Sequence, residues 1–198
     1  MLSWRPSKWS AALFIGPVMV CATAAAADAP QSRLVAEATR LFAVVLADDP
    51  SPERCELASD WDSSPVPEEI AHRDLGLRLH ASLSAPESFT GPAKVLSPRG
   101  GGAICRDSEA NDLEAQRLAA FEGGTDKNIF VKRRAYTFPV FDEGYHTAVF
   151  VVTYERFGWY RKPAGIARLA PEAAVTAVVY RKAGGRWRRV TMVELGST

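Results

Sequence analysis

The sequence predicts an α+β protein in which an N-terminal helix packs on an antiparallel sheet, a C-terminal meander of about four strands. Two observations predict it: apolar residues recur at helical spacing between 32 and 47, and strand-like apolar runs joined by glycine-containing turns fill the C-terminal third. The composition, 47% hydrophobic and 24% charged over 198 residues, is typical of a globular domain and disfavours disordered, collagen-like and coiled-coil chains. We therefore interpret residues 28–198 as one domain that follows a leader.

Residues 1–27 have the pattern of a secretory signal peptide. Arg5 and Lys8 precede an apolar segment over 9–21, and a run of small residues ending at Ala27 follows it. This order of basic, apolar and small residues is the one that signal peptidase recognises. It predicts cleavage near Ala27 and a periplasmic or secreted protein. An uncleaved membrane anchor remains an alternative, because the apolar stretch approaches the length that spans a bilayer.

The cysteines are consistent with export. Cleavage would remove Cys21 and leave Cys55 and Cys105, and an even pair in an exported protein predicts a disulfide. Cys21 could instead carry a lipid, although Val20 is not the small residue that lipoprotein processing favours. A nucleophilic Cys105 is a further alternative, which an oxidising compartment disfavours because it needs a free thiol.

The first predicted element is a helix over residues 32–47. Leu34, Ala38, Leu41 and Val45 fall on one face at helical spacing, so this face should pack on the sheet.

The middle of the chain is predicted to be mostly irregular. We expect a loop over 48–69 that ends in a helical turn at 67–73, a half-buried strand over 75–83, and a second loop over 84–103. A helix is predicted over 107–121. The pair Gly123-Gly124 marks its end, because glycine is typical of the residue that follows a helix.

The C-terminal third predicts the sheet. We expect an edge strand over 128–136, whose basic residues are typical of an edge, and central strands over 145–154 and 173–180. A glycine turn then leads into a hairpin strand over 186–194. The segment 155–172 between the two central strands is predicted to be a loop.

This region resembles the last strands of cone-shaped NTF2-like domains. The resemblance is carried by Phe141-Asp142, by the apolar strand over 148–152, and by the Gly185-Arg186-Trp187 turn of the final hairpin, after an N-terminal helix. It is also similar to the C-terminal region of several small exported bacterial proteins of unassigned role. The resemblance implies a cone-shaped sheet and no site residues.

No motif in the sequence indicates a metal, a cofactor or catalysis. His72, His80 and His146 do not form an HxH or HExxH pattern, and CxxC and Gly-x-Ser-x-Gly motifs are absent. We therefore predict no metal site and no cofactor, and a protein that is more consistent with binding than with an enzyme. The alternative is a small periplasmic hydrolase or ligand-binding cone, with a helix–sheet pocket lined by His146 or Tyr145 and a carboxylate such as Asp142.

Charge is distributed unevenly along the chain. Residues 28–123 contain 9 basic and 17 acidic groups, whereas residues 124–198 contain 13 basic and 6 acidic ones. One interpretation is that the two halves pack together and their charges interleave. The other is a basic sheet face that meets an acidic partner or an anionic envelope component. Nucleic acid is not an expected partner of an exported protein. The basic face would consist of Lys132, Arg134, Arg181, Lys182, Arg186 and Arg188.

The predicted loop over 155–172 is the first candidate for a binding surface, because aromatic and arginine side chains are typical of interface hot spots. The alternative is that Phe157 and Trp159 cap an open end of the core. Our hypothesis is an exported, non-catalytic interaction protein, of the inhibitor or immunity type, that docks another envelope protein. The candidate binding residues are Arg156, Phe157, Trp159, Tyr160, Arg161 and Lys162, with Arg186 and Arg188 of the hairpin.

Overall fold

The computed structural model describes residues 25–48, 52–76, 95–96 and 102–198. Its helices are α1 (Ala25–Asp48), α2 (Glu68–Ile70), which continues as a π-helical turn over Ala71–Leu75, and α3 (Asp107–Gly123). Its strands are β1 (Leu57–Ala58), β2 (Ile104–Cys105), β3 (Asn128–Tyr136), β4 (Val140–Phe141), β5 (Thr147–Lys162), β6 (Gly165–Ala183) and β7 (Arg186–Ser197). None of these helices is long and apolar enough to cross a membrane.

The strands form one sheet in the order β2-β1-β3-β5-β6-β7, with β4 paired to β5. β3, β5, β6 and β7 pair antiparallel in chain order, whereas β1 runs parallel to both β2 and β3. The α+β class, the N-terminal helix and the four-stranded meander are therefore confirmed, and the complete sheet is mixed. β3 lies between β1 and β5, so it is not a free edge along its whole length.

The predicted loop over 155–172 is wrong, because it is the far half of a long hairpin. β5 continues to Lys162, and β6 starts at Gly165 after the two-residue connection Pro163-Ala164. Gly165 has a φ of 131°, a conformation that favours glycine. The charged residues of this segment resembled loop composition, but the buried Phe157 and Trp159 are two residues apart, as in a strand with one covered side.

Helices cover both sides of the sheet. On the side that we call the α1 face, Phe150 and Val152 of β5 pack with Leu41 and Phe42 of α1. On the opposite side, which we call the α2 face, Val149 and Val151 of β5 pack with Ile70 of α2. Because successive side chains of a strand point to opposite sides, the continuous apolar run of β5 reflects burial on both faces.

α3 covers the α2 face farther along the sheet. Its Phe121 packs with Val131 of β3 and with Phe157 and Trp159 of β5. The helix predicted over 107–121 is confirmed.

A disulfide joins Cys55 and Cys105, whose Cα atoms lie 4.8 Å apart and which are separated by 50 residues in the chain. It connects the segment before β1 to β2, so the predicted pairing is confirmed. Cys105 therefore has no free thiol, which removes its proposed role as a nucleophile. A loop of this size contributes about 4 kcal/mol in the chain-entropy model.

Some predictions lie outside the described residues. The predicted signal peptide covers residues 1–27. Residues 1–24 lie outside the described residues, and residues 25–27 begin α1. The strand predicted over 75–83, with His80, and most of the loop over 84–103 also lie outside the described residues. The predicted helix over 32–47 is confirmed, and it starts earlier, at Ala25.

Candidate functional site

Successive side chains of β5 point to opposite faces of the sheet. They therefore divide the six candidate binding residues of the predicted loop into two sets. Phe157, Trp159 and Arg161 belong to the α2 face, where α3 packs. Phe157 and Trp159 are each only 6% exposed. Arg161 donates hydrogen bonds from Nη2 to the carbonyl oxygens of Phe121 (2.5 Å) and Gly124 (3.1 Å), at the C-terminal end of α3. These side chains attach α3 to the sheet, as the alternative interpretation of the two aromatic residues anticipated.

The other three, Arg156, Tyr160 and Lys162, share the α1 face with Val152 but lie beyond the end of α1. The Arg156 guanidinium lies over the ring of Phe130 at 4.0 Å from its centroid. The Lys162 ammonium lies 4.8 Å from the centroid of Tyr160. Arg156 and Lys162 are exposed, and Tyr160 is half-buried. Of the six predicted residues, only Phe157 and Trp159 are buried, and Arg161 is exposed but hydrogen-bonded to the end of α3.

A cleft lies on the α1 face next to Arg156, and we call it the sheet cleft. It has a volume of about 550 Å³, which is in the range of ligand sites. The C-terminal end of β7 lines one side of it, next to Ala173 and Ala174 of β6. Its charged and aromatic side chains come from three adjacent strands: Lys132, Arg134, Tyr154, Arg156 and Glu172.

The charges of the sheet cleft are unequally neutralised. Arg134 forms an ion pair with Glu56 at 2.6 Å, and both side chains are less than 10% exposed. Arg156 forms only a long contact with Glu172, at 3.8 Å, and both side chains are largely in solvent. Lys132 lies directly opposite Arg156 in the register of β3 and β5, and it is absent from the ion pairs within the described part of the chain. Two like charges therefore face each other across the strands.

Three of the six residues of the proposed basic face form ion pairs with acidic side chains. Arg134 is buried against Glu56, Arg181 pairs with Asp74 at 3.0 Å, and Lys182 pairs with Glu37 at 2.8 Å. Acidic residues of the first half neutralise basic residues of the second half, as the interleaved interpretation anticipated. Four members are exposed, and three of them, Lys132, Arg186 and Arg188, are absent from the ion pairs among the described residues, whereas Arg181 is paired.

The hairpin residues Arg186 and Arg188 are exposed but do not join the sheet cleft. Arg188 pairs in register with Arg181 of β6, and Arg156 pairs with Glu172 of the same strand. Nine residues of strand separate the two positions, which is about 30 Å. A small partner surface therefore cannot contact both sets of basic residues.

The residues of the alternative pocket do not converge. His146 is exposed, and its backbone N–H, not its ring, donates to Asp142 Oδ1 at 2.6 Å. The ring of Tyr145 faces the Arg33 guanidinium of α1 at 4.6 Å. The turn thus contacts α1 through Tyr145, whereas the His146 side chain is exposed. The described residues contain no group of three or more side chains suited to a metal ion.

Three residues at the sheet cleft were not predicted from the sequence. Tyr154 and Glu172 line the cleft, and Phe130 lies beside it. A signal for Phe130 was present, because this residue, Lys132 and Arg134 occur at every second position and so share one face of a strand. Tyr154 and Glu172 could be placed only after the pairing of β5 with β3 and β6 was known.

Comparison of the chain with protein-family models, with curated proteins and with solved structures finds no match. The NTF2-like resemblance therefore remains unconfirmed.

Proposed function

We propose that this protein is an exported, non-catalytic binding protein that docks an acidic partner protein through the sheet cleft. The leader pattern predicts export, and the disulfide is consistent with an extracellular or periplasmic protein. A periplasmic protein that holds one partner stoichiometrically, as an inhibitor or immunity protein does, fits these features.

The observation that carries the proposal is the pair Lys132 and Arg156. Like charges that face each other on adjacent strands destabilise a sheet, and Glu172 is too distant and too exposed to compensate fully. A carboxylate placed between the two cations would remove the repulsion. The nearby aromatic rings of Phe130 and Tyr154 supply apolar contact area, which interfaces require in addition to charge.

The contacts of the alternative catalytic groups favour binding over hydrolysis. Cys105 is in the disulfide, the side chain of His146 is exposed, and the ring of Tyr145 faces Arg33 of α1. The candidate nucleophile and base are thus not arranged to act together.

The test is capture of a partner from an envelope extract by the wild-type chain and two charge-matched variants. The cleft variant is Lys132→Glu with Arg156→Glu, and the control is Arg186→Glu with Arg188→Glu. The affinity tag is inserted after Ala27, because a tag after Thr198 would extend from a residue that lines the cleft. We expect one near-stoichiometric partner that the wild type and the control retain and the cleft variant loses.

Retention of the partner by the cleft variant, with loss by the control, would assign binding to the hairpin and contradict the proposal. Capture of no stoichiometric partner by the wild type would also contradict it. Equal urea-unfolding midpoints of the three proteins are required, so that loss of binding is not loss of folding. Trp159→Ala is unsuitable for this test because the side chain is buried.

A further inference from the structure

We infer that the sheet cleft accepts an extended peptide segment of the partner in which a carboxylate side chain and an apolar side chain are two residues apart. The inference rests on the proposed function and specifies the chemistry that the cleft recognises. It follows from the charge balance of the cleft, from the row of residues next to the cation pair, and from the spacing between the two.

The charge balance indicates a single carboxylate. Three basic side chains (Lys132, Arg134 and Arg156) and two acidic ones (Glu56 and Glu172) face the cleft, so its formal side-chain charge is +1. Surfaces that hold anionic lipids or other polyanions present about 4–8 clustered basic residues, and here acidic residues offset most of the charge. One Asp or Glu side chain, positioned between Lys132 and Arg156, would neutralise the excess with charge-assisted hydrogen bonds.

The row next to the cation pair is apolar. Phe130 of β3, Gly158 of β5 and Leu169 of β6 lie side by side in register. The Arg156 guanidinium covers one face of the Phe130 ring, yet this large hydrophobic side chain is still 38% exposed. Gly158 leaves the middle of the row without a side chain, and a Cβ there would collide with the carbonyl oxygen of Ile129. This row therefore offers a shallow apolar surface between two larger side chains.

The spacing matches an extended peptide. Lys132 and Phe130 are two residues apart on one face of β3, and so are Arg156 and Gly158 on β5. In an extended segment, side chains at i and i+2 point the same way and lie about 6.6 Å apart. A peptide that runs along the strands can therefore place a carboxylate at the cation pair and an apolar side chain on Phe130 at the same time.

The experiment uses the whole protein, labelled with ¹⁵N, and short peptides with blocked ends. The probe is acetyl-Ser-Asp-Ser-Phe-Ser-amide, and the matched controls replace its Asp by Asn or its Phe by Ser. Binding is followed by chemical-shift changes of the backbone amides of 130–134 and 154–158. We expect saturable shifts with the Asp peptide. Both control peptides should bind at least roughly tenfold more weakly than the Asp peptide, because each lacks one of the two contacts.

Protein variants test the same contacts from the other side. Lys132→Gln should weaken the Asp peptide but not the Asn peptide, and Phe130→Ala should weaken both peptides that contain Phe. Arg188→Gln, a charge change far from the cleft, should alter neither. Equal binding of the Asp and Asn peptides, or shifts outside the cleft, would overturn the inference.

Two further outcomes would also overturn it. Stronger binding of polyglutamate or of phosphatidylglycerol vesicles at these amides would assign the cleft to a polyanion or a membrane surface. Concentration-dependent shifts without peptide would assign it to a second copy of the chain. If the peptides fail while the Lys132→Glu, Arg156→Glu variant still loses its partner, this inference fails and the proposed function stands.

Discussion

At the scale of single residues, the buried ion pair between Arg134 and Glu56 is the contact on which the sheet cleft depends. Both side chains line the cleft and also a smaller cavity of about 170 Å³ next to the disulfide. The backbone N–H of Arg134 also donates to the carbonyl oxygen of Glu56. A buried charge without its partner costs several kcal/mol, so this pair holds the segment after Cys55 against β3.

We expect Glu56→Gln to lower the free energy of unfolding by about 3–5 kcal/mol, because it removes the negative charge from a buried ion pair. The control is Glu172→Gln, which removes the exposed partner of Arg156 and should cost less than about 1 kcal/mol. Urea unfolding of the two variants and the wild type measures both values. A similar small loss in both variants would contradict a structural role for the buried pair.

At the scale of elements, the hairpin of β5 and β6 explains why one segment carries both structural and accessible residues. Residues 157, 159 and 161 of β5 face α3, whereas residues 156, 160 and 162 face away from it. In a loop, side chains have no fixed side, so the loop predicted over 155–172 placed all six residues in one group. A strand separates them, since neighbouring side chains point in opposite directions.

Trp159→Ala should therefore destabilise the protein by about 3–5 kcal/mol, because it leaves a cavity between α3 and the sheet. Tyr160→Ala, one residue along the same strand but on the accessible side, should cost less than about 1 kcal/mol. Thermal or urea unfolding distinguishes the two. Equal destabilisation would indicate that the alternation along this part of β5 is not as described.

β7 provides a second example at this scale. Val190 and Leu195 are hydrophobic residues that are 51% and 40% exposed, respectively. Each lies where the register between β6 and β7 shifts by one residue. Such bulges interrupt the regular edge that another strand would need for pairing. We therefore interpret these two residues as part of a protected edge and not as a docking surface.

At the scale of the whole molecule, the acidic first half of the chain forms ion pairs with the basic second half. Glu37 of α1 accepts a hydrogen bond from the Lys182 ammonium of β6, and Glu114 of α3 pairs with Arg133 of β3. The acidic half thus packs on the basic half, and only a small excess of positive charge remains in the sheet cleft. Packing therefore neutralises much of the charge that the sequence segregates.

This arrangement predicts a pH dependence of stability. Burial tends to raise the pKa of Glu37, but the hydrogen bond and charge of Lys182, together with Arg40, outweigh it and hold the pKa below its usual value of 4.5. The unfolded chain therefore binds a proton more readily than the folded one. The stabilisation is fully present above pH 4.5 and is lost as the pH falls through the lower pKa of the folded state.

The variant Glu37→Gln should unfold at a lower urea concentration than the wild type at neutral pH. The difference between the two midpoints should decrease as the pH is lowered below about 4.5, because the wild-type carboxylate then becomes protonated. Arg40→Gln, which removes the more exposed of the two cations, is the control and should have a smaller effect. A difference that does not change with pH would contradict the proposed role of the ion pair.

Features that depend on local patterns were predictable from the sequence. The period of apolar residues placed α1, the Gly123-Gly124 pair placed the end of α3, and the Gly184-Gly185 pair placed the turn before β7. The pairing of Cys55 with Cys105 followed from number and context, because only two cysteines remain after the predicted leader. Such features need no knowledge of distant partners, which is why sequence reasoning reached them.

The residues of the candidate site could be identified only from contacts between distant parts of the chain. Glu56 is far from Arg134 in the chain, and their pairing required β1 to lie beside β3. The hairpin of β5 and β6 appeared as a loop because the burial of Phe157 and Trp159 comes from α3, a separate element. The sheet cleft likewise depends on the registers that place Lys132, Arg156 and Glu172 in one row, and long-range pairing of this kind leaves no local signal in the sequence.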